Sequence, residues 1–178
     1  MWHITSLQRA WQLAARLHHR QPYGHHADYT AHLGAVVFEV LNALQHEPGL
    51  DPELALSCAV LHDTVEDTAY TLPELRADFG PAVADGVAAL TKDASLPTKT
   101  ARMADSLRRI RAQPPAVWAV KLADRIVNLQ EPPADWPADK RVAYLEEARV
   151  IHRALAGGSP YLAGRLAEKI EAYTTYLS

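Results

Sequence analysis

The sequence predicts an all-α protein. Apolar residues recur at i, i+3, i+4 along most of the chain, and no segment alternates polar and apolar as a half-buried strand does. Helix start and stop signals sit where the periodic segments begin and end, as in Asp51-Pro52, Thr71-Leu-Pro-Glu74 and Gly157-Gly158-Ser159-Pro160. Two segments are apolar nearly all round, which marks central helices of a bundle.

Residues 4–20 form the first expected helix, with Ile4, Leu7, Trp11, Ala14 and Leu17 on one face, and Gln21-Pro22-Tyr23-Gly24 breaks it. The second covers 29–46 through Leu33, Val36, Val37, Val40, Leu41 and Leu44, and Pro48-Gly49 ends it. Asp51 caps the third, which starts with Pro52 and continues to about Val65 with almost no polar face. Thr71 and Glu74 form a capping box for a short helix over 72–79, Gly80 closes it, and Pro81 opens another to about Leu90. A polar-rich helix spans 99–112. Pro114-Pro115 separates it from a second strongly apolar helix over 117–129. A Pro-rich loop, Glu131 to Pro137, precedes the last two helices at 138–156 and 160–177. The result is a single compact bundle of about eight to ten helices, and no internal repeat is visible.

Composition narrows the function. The chain has 178 residues, one domain's worth. No apolar run approaches the ~18 residues of a membrane span. The first helix is interrupted by Gln8, Arg9 and Gln12, unlike a secretory signal. Cys58 is the single cysteine, so neither an internal disulfide nor a Cys-based zinc site is expected, and a cytoplasmic setting is the default. A formal net charge of −3 and the lack of a long Lys/Arg run argue against a nucleic-acid polymer as partner. Nine histidines are many for this length, and His18, His19, His25 and His26 fall close together; most are expected at the surface beside a pocket mouth, with contact to phosphate as the alternative.

Chemistry concentrates in the two apolar helices. Leu61-His62-Asp63-Thr-Val-Glu66-Asp67 places four ionisable groups at the end of one. Lys121-Leu-Ala-Asp124-Arg125-Ile-Val-Asn128 places Asp124 and Asn128 one turn apart on one face of the other. Buried carboxylates are normally paired or bound to metal. A lone His-Asp dipeptide or a lone Glu-Asp pair is common; their joint occurrence with the second block carries the weight.

Leu61-His-Asp-Thr-Val-Glu-Asp-Thr68, then Phe79-Gly80, Leu90-Thr-Lys92 and Val120-Lys-Leu-Ala-Asp-Arg-x-x-Asn-Leu129, resemble the HD-domain alarmone hydrolases. That family holds the hydrolase halves of the RelA/SpoT enzymes of the stringent response and the free-standing, Mesh-type small hydrolases. His18-x-x-Gln21 and Tyr29-x-x-His32 are similar to its N-terminal segment. The resemblance covers nearly the whole chain and implies one HD-type metal-dependent phosphohydrolase domain over 1–178, of the free-standing type. It implies Mn²⁺ held by His32, His62, Asp63 and Asp124. Two imidazoles and two carboxylates suit manganese better than magnesium, which prefers oxygen. Glu66 and Asp67 match the family's acidic pair and are expected to orient the attacking water, whose pKa the metal lowers. Asn128 is expected to contact ribose or phosphate. Lys99 and Arg102, with Lys92, are expected to neutralise the pyrophosphate, and Arg125 to pair with a carboxylate.

The implied reaction removes the 3′-pyrophosphate from (p)ppGpp or (p)ppApp and releases pyrophosphate. The base-side loop departs from the family: Tyr23 and Gly24 stand where an Arg-Lys pair is usual, His26 where a glycine is, Asp28 and Leu33 where prolines are, and Gln130 where an arginine is frequent. Tyr23 offers an aromatic face to any base, or is a plain turn tyrosine. Two further readings stay open: another HD-type nucleotide or NADPH phosphatase, and a catalytically inactive nucleotide sensor.

Overall fold

A computed structural model describes residues 2–24 and 27–177. His25 and His26, which the sequence reading placed at the surface, lie outside the described residues. The elements are α1 (Ile4–Leu17), β1 (Pro22–Tyr23), β2 (Ala27–Asp28), α2 (Tyr29–His46), α3 (Pro52–Leu61), α4 (Thr64–Asp67), α5 (Leu72–Leu90), α6 (Lys99–Arg111), α7 (Pro115–Asn128), α8 (Ala138–Leu155) and α9 (Pro160–Tyr173). The all-α expectation holds, with one addition. β1 and β2 form a two-stranded antiparallel ribbon, Pro22 opposite Asp28 and Tyr23 opposite Ala27. Strands of two residues are too short to show alternation in a sequence.

α3 and α7 are the central pair. α3 packs on α1, α2, α5 and α7, and α7 on α2, α3, α8 and α9. Every residue from Leu54 to Leu61 is buried, as the lack of a polar face requires. Asp51 starts α3 by accepting from the backbone N–H of Glu53 and Leu54 at 3.0 and 3.2 Å. The helix ends at Leu61, four residues short of the expected Val65. Side chains take over its last carbonyls: His62 Nδ1 lies 2.8 Å from Ala59 O, and Thr64 Oγ1 donates to Leu61 O at 2.7 Å. Such side-chain bonds compete with the helical ladder, and the resulting break turns His62 and Asp63 toward α7.

α5 carries the expected capping box at Thr71 and Glu74 and is broken at Gly80, whose φ of 83° is the left-handed conformation that favours glycine. The two helices read from the sequence are therefore its two halves. α1 stops at Leu17 rather than residue 20, because the chain turns through Arg20 at φ 64°. α9 gives way to a 3-10 turn at Thr174. Gly158 lets the chain pass close to α7, for a Cβ there would lie 2.6 Å from Trp118 Cβ. Among the described residues no helix is long and apolar enough to cross a membrane.

Candidate active site

Three segments bring side chains to one point between the central helices. His32 lies in the first turns of α2, His62 and Asp63 in the break between α3 and α4, and Asp124 on α7. His32, His62 and Asp124 are all buried, and each offers a ligand atom within 4.8 Å of the others. His32 Nε2 and His62 Nε2 stand 3.3 Å apart. Asp63 Oδ2 is 3.0 Å from His62 Nε2 and 3.8 Å from His32 Nε2. Asp124 Oδ1 is 3.6 Å from His32 Nε2 and 3.9 Å from His62 Nε2.

The chemistry of this donor set fits a cation. Ala59 O holds the proton of neutral His62 on Nδ1, so Nε2 turns a lone pair inward, toward a second imidazole nitrogen and two carboxylate oxygens. A carbonyl behind an imidazole is the usual outer support of a metal-binding histidine. Without a cation the cluster relies on protons. Burial opposes charge on His62, but Asp63 and then Asp124 outweigh it and lift its pKa to about 9. Burial keeps His32 below its ordinary value. Asp63, despite burial, is held well below the carboxylate range by His62 and the Tyr29 hydroxyl, and Asp124 is held low by Lys121 and His62.

Each carboxylate is oriented by a partner. The Tyr29 hydroxyl donates to Asp63 Oδ2. Lys121 Nζ donates to Asp124 Oδ2 at 2.9 Å, and Asn128 Nδ2 donates to Oδ1. Beside the cluster opens a cavity of about 280 Å³ lined by Asp63, Glu66, Asp67, Lys92, Asn128 and Tyr144, among others. Glu66 has both oxygens held by Lys92, Oε1 by Nζ and Oε2 by the backbone N–H, each at 2.9 Å. Asp67 accepts from Gln21 Nε2 at 2.9 Å through Oδ2.

The expected residues separate into those gathered here and those placed elsewhere. His32, His62, Asp63, Asp124, Glu66, Asp67 and Asn128 converge. Tyr23 is near without lining the cavity: its ring is 5.0 Å from that of His32 and its hydroxyl is 3.5 Å from Asn128 Oδ1. Lys99 is exposed at the start of α6 and does not line the cavity. Arg102 is not on its wall either, because its guanidinium donates to Leu96 O and Ala94 O at 2.8 and 2.9 Å and closes the loop before α6. Lys92 does reach the wall, bound to Glu66. Arg125 pairs with Glu147 as expected and sits over the Tyr144 ring, 4.6 Å from its centroid. His18 is buried rather than at the surface, stacked on Tyr29. Sequence reasoning missed Tyr144 and Glu147 as site residues, and gave no role to Tyr29, though quoted in a motif, or to Lys121. A lysine three residues before a buried aspartate in an apolar helix was the available signal for the last.

The chain matches the HD domain family over residues 10–159. It is 34% identical over 136 residues to a mouse (Mus musculus) protein named guanosine-3′,5′-bis(diphosphate) 3′-pyrophosphohydrolase MESH1, covering 74% of this chain and 75% of that one. It is 36% identical over 130 residues to a GTP pyrophosphokinase of Streptomyces coelicolor, covering 71% of this chain but only 15% of that protein. Among solved structures, one described as a metazoan ortholog of SpoT that hydrolyzes ppGpp superposes with a TM-score of 0.81 at 26% identity, covering 100% of this chain and 99% of the other. The structure of lmo0812 from Listeria monocytogenes EGD-e shares the fold, with a TM-score of 0.64 at 22% identity over 86% of this chain and 98% of that one.

Proposed function

The chain belongs to the HD-domain family, and from that premise we propose that it is a Mn²⁺-dependent hydrolase that removes the 3′-pyrophosphate from (p)ppGpp or (p)ppApp as a single HD-type domain over 1–178. The observation that carries the proposal is the convergence of His32, His62 and Asp124, with Asp63 beside them, next to a cavity walled by Glu66 and Asp67. The names of the MESH1 relatives and the ppGpp-hydrolysing structural neighbour supply the substrate class.

In this reading His32, His62, Asp63 and Asp124 hold the cation. A bound divalent cation supplies Lewis acidity toward water and toward a phosphoryl oxygen. Manganese suits the mixed nitrogen and oxygen donors. Tyr29 and Lys121 orient the two aspartates. Asp67 takes the proton of the attacking water, since Gln21 holds only its Oδ2, whereas Lys92 holds both oxygens of Glu66. Glu66 fixes Lys92 on the wall, where its ammonium faces the substrate's phosphates. The water oxygen bonds to the phosphorus on the 3′-oxygen, the bond from that oxygen to phosphorus breaks, and the 3′-oxygen leaves as a hydroxyl by taking up the proton that Asp67 received from the water, while pyrophosphate departs. Asn128 offers its amide to ribose or phosphate, and Tyr23 an aromatic face to the base. Lys99 and Arg102 do not line the cavity, so in this reading Lys92 supplies the charge that faces the phosphates. A nucleotide is the partner, and the single buried cysteine supports a cytoplasmic setting.

The test is parallel assay of the Mn²⁺-loaded protein on ppGpp, pppApp and NADPH with product identification. Pyrophosphate from either alarmone is the expected product. Orthophosphate would make it a phosphatase. No turnover with metal bound would make it a sensor.

A further inference from the structure

His18 does not line the cavity, yet it is buried at the end of α1 and reaches the partners of two site carboxylates. On one side its Nδ1 lies 2.7 Å from Gln21 Oε1, and Gln21 Nε2 donates to Asp67 Oδ2 at 2.9 Å. On the other, its ring stacks on Tyr29, centroids 4.8 Å apart and planes at 23°, and the Tyr29 hydroxyl donates to Asp63. The backbone closes this turn at both ends. Gln21 N–H donates to His18 O at 3.0 Å, and Tyr29 N–H donates to Gln21 O at 2.8 Å. Arg20, in the left-handed region at φ 64°, lies inside it.

The direction of each hydrogen bond follows from the acceptor-only end. An ionised Asp67 carboxylate can only accept, so Gln21 presents its amide nitrogen there and its oxygen to His18. That oxygen also only accepts, so His18 carries its proton on Nδ1. Its buried Nε2, which has no partner among the described residues, then holds a lone pair. The opposite tautomer would set a lone pair against Oε1 and bury an orphaned N–H.

We infer that His18 is a positioning residue for both halves of the site, aiming Asp67 through Gln21 and propping Tyr29 against Asp63. The inference rests on the proposed role of Asp67 in handling the water's proton. It predicts a split that a merely structural histidine would not give. His18→Phe keeps a ring against Tyr29 but loses the Nδ1 donor; His18→Ala loses both.

Three readouts test it on the full chain. In alarmone hydrolysis, His18→Phe and Gln21→Leu each lower kcat about 10- to 100-fold, the range for losing an outer partner, with little change in KM. The double variant falls no further than the deeper single, because both act on one chain of bonds. In Mn²⁺ titration without substrate, His18→Phe binds as the unmodified protein does, and His18→Ala binds more weakly. In long-range proton–nitrogen NMR of the metal-free protein, His18 appears as the Nδ1–H tautomer. Unchanged kcat in His18→Phe, multiplicative losses in the double variant, equal Mn²⁺ affinity in both His18 variants, or an Nε2–H tautomer each overturn the inference. An unmodified protein that cleaves no alarmone while the Mn²⁺ split and the tautomer hold counts against the proposed function alone. Thermal unfolding followed by circular dichroism confirms that each variant folds.

Discussion

Lys121→Met tests whether the buried charges of the site are held by pairing. Lys121 and Asp124 are 6% and 7% exposed, and their Nζ–Oδ2 distance is 2.9 Å. At an effective dielectric of about 20, two unit charges at that separation of 2.9 Å attract by about 6 kcal/mol. Desolvation offsets part of this, and removing one partner of a buried pair costs about 3–5 kcal/mol, because the other charge is left uncompensated. Metal-free protein unfolded in urea with a chelator present isolates this effect. Lys121→Met is expected to lose about 3–5 kcal/mol, a large share of a typical stability of about 5–15 kcal/mol. Arg76 and Asp85 provide the control, since half of each side chain is exposed; Arg76→Met should cost less than about 1 kcal/mol. Lys121→Met/Asp124→Asn should cost less than the two single losses added, since the double change leaves no orphaned charge. A Lys121→Met variant as stable as the unmodified protein, or an Arg76→Met variant equally damaged, would refute the reasoning.

Other expectations follow from the same geometry. Tyr29→Phe removes the hydroxyl that donates to Asp63, so Mn²⁺ affinity measured by chelator competition should fall about 10- to 100-fold; undiminished affinity would deny Tyr29 its orienting role. Gly86→Ala would put a Cβ 2.8 Å from Cys58 Sγ and 3.0 Å from Val117 Cγ2, an overpacking cost of about 1–3 kcal/mol. In a Cys58→Ala background the cost should shrink, and equal losses in both backgrounds would locate the clash elsewhere. Burial, with the charge of Asp51 second, pushes the Cys58 thiol from 9.0 to about 12. The folded state then holds a proton that the unfolded chain releases, so the thiol's contribution is complete below pH 9.0 and lost between pH 9.0 and about 12. Over that range, stability by denaturant titration should fall more steeply in the unmodified protein than in Cys58→Ala, by at most about 1.4 kcal/mol per pH unit. Parallel pH profiles would contradict the shift.

What the sequence made legible is what lies close along the chain. His62-Asp63 and Asp124 announce themselves as charges inside apolar helices, and Asp51, Thr71 and Gly80 mark boundaries through local hydrogen bonds and backbone conformation. His32, a lone histidine on an apolar face, was readable only through family resemblance. The supporting contacts were not legible because they join residues far apart: Tyr29 to Asp63 across 34 positions, Gln21 to Asp67 across 46, Lys92 to Glu66 across 26 and Arg125 to Glu147 across 22. Arg102 looked free for a phosphate because its acceptors are backbone carbonyls, which no side-chain pattern reveals. α3 stops early for the same kind of reason, since Thr64 bonds to a carbonyl that a longer helix would have used.

The most direct test is a crystal structure of the protein grown with Mn²⁺, with anomalous scattering recorded to locate the ion. One manganese per chain, bound by His32 Nε2, His62 Nε2, Asp63 and Asp124, is the predicted result. Manganese found elsewhere, or a fully ordered cluster that stays metal-free at saturating Mn²⁺, would contradict the account.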